Sequence, residues 1–599
     1  MEGQPVYKLA IIGGGPAGVG ILVRAARLGY LERLLTLGVV LIHGGVVATL
    51  GRGNLGDYVI NSNTFAKSLL GSVLDDKSDL DPPESVRGTF LEGLAAHPSA
   101  LRLAQVGQAS VNLHELGKFL EAIGYLARLE ILKYPLSSSC LVDTMATKVE
   151  RLSNGVCQVT TVHNGVEAHI WADKVVLAMG GSQELPPEME LSHRAKAWTS
   201  DAVLREPGRR ALAMALASAK EKKVCIVGGS HSAFSVAWLL LHKTQAKTKG
   251  EVPIAFGSKD ITVLHRGPIR CFYNSKKEAE ADGVVVDKTD KSGSINTFTG
   301  LREDAKALYC AVASGHETRV RLYHVKRTPS GAALQKQACD AAAAIVWCCG
   351  YGTNMIPIIA DGVAKSFAPG AIKVDLGARV LCDDGASTGL PWLLGIGVGF
   401  ALRAAVDEMK TETRADGVTV YHRRGATLVL AAVFGPEIYG KDCATFEEMV
   451  DKCEKRRKED KEKESKIPMP SSAPPKRFVQ ACREVVLALA SSPPVVVADG
   501  EHSPSVSLSV GLVRPVQSVV RSDPKLAIVP RKTSRVQMES PGKLRARNQE
   551  EVKGLRRSSF ELRHTSQGPR IDLQAKSCGK PVLAGAAKHA IQGIRTGVL

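Results

Sequence analysis

The chain lacks any run of the ~18 apolar residues needed to cross a bilayer. Its N-terminus enters a strand pattern by Val6 without first spelling a secretory signal, so a soluble, cytoplasmic protein is expected. The 13 cysteines begin only at Cys140 and include no CxxC pair, which argues for reduced thiols and against both a sulfur-held metal and a disulfide framework. No Ser/His/Asp or paired-carboxylate constellation stands out, and no metal is expected. Aromatic residues are scarce at 5%, and residues 451–599 contain only Phe478 and Phe560. That scarcity bears on the net charge of +18, because residues 451–599 hold 29 Lys/Arg against 15 Asp/Glu and leave only +4 for the first 450. A basic segment without stacking platforms or a folded motif is no specific nucleic-acid module; at most it touches anionic surfaces nonspecifically. Its charge run, Ser/Pro-rich stretches and short apolar islands read as a largely disordered tail.

What the first 450 residues do contain is a strand-turn-helix signature, twice. The apolar run Leu9–Ile12 leads into Gly13, Gly14, Gly15, Pro16, Ala17 and Gly18, then a helical pattern, then a second apolar strand at Val39–Ile42. In Gly13-x-Gly15-x-x-Gly18 the first glycine permits the tight turn, the second lets the backbone approach a pyrophosphate, and the third lets helix and strand pack closely. The second strand ends in His43, where an acidic ribose ligand is usual; imidazole contact with the ribose and a plain surface histidine are both open there. The second signature runs from Val224–Val227 through Gly228, Ser230 and Ala233, and its following strand ends in His265 and Arg266. A cation at that place suits a 2′-phosphate, with a solvated loop arginine as the alternative. The pattern predicts an α/β protein with two Rossmann-like domains. Between the signatures, Asn112 and Glu115 form a capping box for a helix ending near Leu129, Cys157–Val162 and Glu167–Trp171 a hairpin, and Lys174–Met179 a separate returning strand.

These residues resemble the two-dinucleotide flavoprotein oxidoreductases, and among them the flavin-containing and N-hydroxylating monooxygenases of the ornithine and lysine hydroxylase type. The resemblance covers about residues 6–440. It rests on Gly13 to Gly18, on Leu177 to Gly181 with its turn at Gly180, on Gly228 to Ala233, and on Cys348-Cys349-Gly350-Tyr351, where the family has Ala-Thr-Gly-Tyr. The stretch Gly53–Thr64 is similar to the family segment under the flavin ring, so either Asn61 or Asn63 is implied as flavin-facing. Gly397, in Gly395-x-Gly397-x-Gly399 before a helix expected near Phe400, is implied as a second backbone approach to the cofactor.

The resemblance implies FAD and NADPH as cofactors and a discontinuous FAD domain (1–200 and 335–450) interrupted by an NAD(P) domain (201–334). It implies oxygenation of an amine or sulfide through a flavin hydroperoxide, with a small molecule and O₂ as partners. An NADPH oxidase or diaphorase without oxygenation, and a degenerate nucleotide-binding scaffold or sensor, are the alternatives. A thiol relay is excluded, since no cysteine pair stands near the first fold.

Overall fold

Two sheets organise the chain, each built around one of the glycine signatures. The computed structural model describes residues 5–459, except 77–82, 245–252, 287–292, 297–299, 376, 384–388, 403–420 and several positions from 446 onward. The expectation of a disordered tail therefore falls outside the described residues.

In the larger sheet the strand Val6–Ile12 runs parallel to Val39–Ile42 on one side, with Ile12 opposite Ile42, and to Val166–Leu177 on the other, with Ile12 opposite Leu177. Leu9, Ala10 and Ile11 are fully buried, as a strand covered on both faces requires. The sheet continues through Cys157–His163, Thr144–Arg151 and Ile358–Ala360 on one flank and Ser139–Leu141 on the other, while Leu393–Gly395 pairs with Val166–Leu177. The second sheet is wholly parallel, in the order Ala197–Thr199, Ala344–Trp347, Val224–Val227, Ile261–His265, Val320–His324. It takes in strands on both sides of the boundaries drawn at 201 and 334.

Two elements differ from expectation. The hairpin strand and the returning strand are one 12-residue strand, Val166–Leu177. No glycine or proline interrupts it, and its first half pairs antiparallel with Cys157–His163 while its second half pairs parallel with Val6–Ile12. Instead of starting a helix, Phe400–Leu402 is a strand parallel to Ile372–Val374. The Phe400 ring covers Gly395, where an added Cβ would stand 2.5 Å from it. The helix Leu113–Ile131 does form. Asn112 Oδ1 accepts the His114 N–H at 2.9 Å, and Leu116, Phe119, Leu120 and Ile123 are buried. Glu115 pairs with Lys118 rather than closing the capping box.

Candidate active site

At the end of the first strand, Gly13 takes φ 114° and donates its N–H to Ile42 O at 2.8 Å. A Cβ there would fall 2.3 Å from Ala178 O, and one at Gly18 would fall 1.9 Å from Gly13 O, so both positions are fixed by packing within the protein. Gly15 is different. A Cβ on it would meet nothing nearer than Gly53 Cα at 3.9 Å, so the protein's own packing does not require glycine here. The helix Pro16–Arg27 starts immediately after it with no side-chain cap and no acidic residue in its first turn. Uncapped amides at the positive end of a helix dipole, beside a backbone bare of side chain, fit a pyrophosphate.

The space in front of Gly15 belongs to a cleft of about 1800 Å³. Gly13, Gly15, Pro16, Ala17, His43, Asn61, Asn63, Gly180, Gly350 and Gly397 line it, and so does Ser230 of the second turn. The remaining expected residues do not. Gly18 holds the first turn, and Gly228 (φ 139°) holds the second, its Cβ direction blocked by Cys348 O at 2.7 Å. Ala233 is fully buried, and Arg266 is exposed, its carbonyl accepting from His324 Nε2 at 2.9 Å.

His43 is not a surface residue: it is 7% exposed. Thr49 Oγ1 donates to Val46 O at 2.8 Å and so accepts from His43 Nε2 at 2.8 Å, placing the imidazole proton on Nε2. Burial keeps its pKa below the ordinary histidine value, and the ring is neutral at pH 7. His231, the first residue of the helix His231–Lys243, also lines the cleft and accepts the Arg302 N–H at 3.0 Å. Burial, reinforced by the Arg302 charge, pushes its pKa down to about 4.

Sequence reasoning missed a polar group on the cleft wall. The Tyr58 hydroxyl donates to Asp201, the Tyr351 hydroxyl reaches the same carboxylate oxygen at 3.3 Å, and Arg205 pairs with it at 2.9 Å while lying over the Tyr58 ring. Desolvation raises both tyrosine pKa values. A second missed contact joins Asn61 Nδ2 to Asp304 Oδ2 at 2.7 Å. Apart from Arg205, which follows Asp201 by four residues, these partners are 143 to 243 residues apart in the chain, so no local spacing signals them. Among the described residues no cysteine lines the cleft. Glu190, His193 and Asp340 cluster elsewhere, with the Lys336 ammonium bonded to both carboxylates.

Two sheets, each with parallel central strands that lead through a glycine turn to an uncapped helix start at one cleft, define an oxidoreductase fold that takes two dinucleotides. Over residues 7–384 the sequence matches the pyridine nucleotide-disulphide oxidoreductase family, and the chain belongs to that family. It is an oxidoreductase of the pyridine-nucleotide class. A CMP-5′-(3-aminopropyl)phosphonate hydroxylase of Streptomyces rubellomurinus is 27% identical over 453 residues, covering 71% of this chain and 97% of that protein. Among solved structures, the ornithine N-hydroxylase of Kutzneria sp. 744 is 14% identical, with a TM-score of 0.42 over 72% of this chain and 99% of that one. The cadaverine monooxygenase of Erwinia amylovora is 13% identical, with a TM-score of 0.45 over 73% and 96%. No helix among the described residues is long and apolar enough to cross a membrane.

Proposed function

We propose that the chain is a flavin monooxygenase that spends NADPH and O₂ to hydroxylate the amino group of a small molecule. One observation carries this reading: both dinucleotide turns open into the same cleft, and no described cysteine faces it. A thiol relay has no cysteine to run through at the described cleft wall, and this reading takes O₂ as the electron acceptor. Bound FAD supplies hydride acceptance and oxygen activation, while the protein binds, orients and excludes water. The name of the Streptomyces relative, a hydroxylase of an aminopropyl compound, supports an amine as the substrate.

In this reading residues 1–200 and 335–450 form the FAD domain and 201–334 the NADPH domain. Gly13, Gly15, Pro16 and Ala17 receive the FAD pyrophosphate, with Gly18 holding their turn and Gly180, Gly350 and Gly397 as further points of backbone approach. His43, neutral and tethered through Nε2, stands at the ribose in place of a carboxylate. Gly228, Ser230 and Ala233 form the NADPH turn, and Arg266 pairs with the 2′-phosphate. Asn61 rather than Asn63 is the flavin-facing amide, since it is half-buried and held from across the cleft, whereas Asn63 is exposed. The setting is cytoplasmic, and the basic segment after residue 450 meets anionic surfaces only through unspecific charge.

The test is oxygen uptake by the purified chain with NADPH and a panel of primary amines. One amine should be converted to its hydroxylamine with about one NADPH consumed per product. Release of hydrogen peroxide equal to NADPH consumed with every amine would make the chain an oxidase instead.

A further inference from the structure

We propose that Asp304 is a positioning residue that fixes the direction of the Asn61 side-chain amide. The inference rests on the assignment of the cleft to FAD. Asn61 opens the short strand Asn61–Phe65, whose partner is Ser110–Asn112, whereas Asp304 lies in the first turn of the helix Glu303–Ala313. Both side chains line the cleft, and they meet at 2.7 Å from positions 243 residues apart.

The chemistry of the pair leaves one orientation. An ionised carboxylate only accepts, so the amide must present its NH₂ to Asp304, and the planar amide then turns Oδ1 away from Asp304. A charge-assisted bond of this kind is about twice as strong as one between neutral groups. Among the described residues Asn63 has only a local contact, its Oδ1 accepting from Thr64 Oγ1 at 3.4 Å. The backbone next to Asp304 is also unusual. Glu303 sits at φ 46°, a conformation costing a non-glycine residue on the order of 1–3 kcal/mol, and such strain persists only where the surroundings hold it.

An amide carbonyl held toward a flavin accepts from the N–H groups of the reduced ring and offers nothing to the acceptor nitrogens of the oxidised one. Asp304 therefore favours flavin reduction through Asn61, without itself being a catalytic residue.

The test compares the full-length wild-type chain with Asp304→Leu, Asp304→Asn, Asn61→Ala and the Asn61→Ala/Asp304→Leu double variant. Readouts are bound FAD, the flavin midpoint potential without substrate, and the kcat and KM of NADPH-driven flavin reduction. Asp304→Leu should keep its FAD, lower the potential and slow reduction at least tenfold at saturating NADPH, with KM within twofold. Asp304→Asn keeps an acceptor oxygen and should stay within threefold of wild type. The double variant should be no slower than Asn61→Ala alone.

An unchanged potential in Asp304→Leu, equal impairment in Asp304→Asn, or additive losses in the double variant would overturn the proposal. If Asp304→Leu does not fold, Asn61→Asp sets two carboxylates against each other and should lower the potential, and adding Asp304→Asn should restore it. Absence of that rescue overturns the proposal as well. A wild-type chain that takes up no FAD would instead refute the cofactor assignment, leaving the Asn61–Asp304 contact as structure only.

Discussion

Gly15 and Gly18 stand three residues apart and fail differently when given a side chain. At Gly18 a Cβ would overlap Gly13 O at 1.9 Å, so alanine there strains the fold itself, by about 1–3 kcal/mol as overpacking usually costs. At Gly15 the neighbouring protein atoms leave room, and the conflict arises only with a ligand. Gly15→Val should therefore purify folded, with an unchanged far-UV circular dichroism spectrum and a melting temperature close to that of the wild-type apoprotein, yet carry no flavin. Stoichiometric FAD in that variant would remove the first turn from the binding site. The glycine pattern was legible in the sequence because turn geometry and close approach are local properties. His43 was legible only as a position: that it is buried and tied to Thr49 depends on how the loop after Ile42 folds back.

Among the elements, the first glycine-turn helix is anchored by charge as well as by apolar packing. Its buried Arg24 and Arg27 share Glu84, each at 2.8 Å, and Arg27 also donates to Ser72 O and Asp75 O. Burial pulls the Arg27 pKa down to about 10, so the guanidinium stays charged at neutral pH and needs its partner. Glu84→Gln removes one countercharge from two buried cations and should cost about 3 kcal/mol, read as a lower urea midpoint. A loss below about 0.5 kcal/mol, the range of ordinary surface changes, would show that the backbone carbonyls suffice.

The strands around this helix were readable as buried apolar runs, and the Asn112 cap as a helix start. The fusion of two expected strands into Val166–Leu177 and the strand at Phe400–Leu402 were not readable. Both depend on pairing partners from distant segments, Val6–Ile12 and Ile372–Val374.

At the scale of the whole molecule, the two signatures announced two nucleotide folds, but only the tertiary structure shows that they face one cleft. The Tyr58–Asp201–Tyr351 group and the Asn61–Asp304 contact join residues 143 to 243 positions apart, so no local pattern announces them. The family name refers to disulphide chemistry, whereas among the described residues no cysteine lines the cleft, and the proposed oxygenation needs none there. The most direct test of that account is the visible absorbance of the purified full-length chain, recorded without air before and after addition of NADPH or NADH. It should show an oxidised flavin spectrum that NADPH bleaches, at least tenfold faster than NADH if Arg266 pairs with the 2′-phosphate, and that returns when air is admitted without any disulphide substrate. A colourless chain that cannot be loaded with FAD, or a bound flavin that NADPH leaves oxidised, would contradict it.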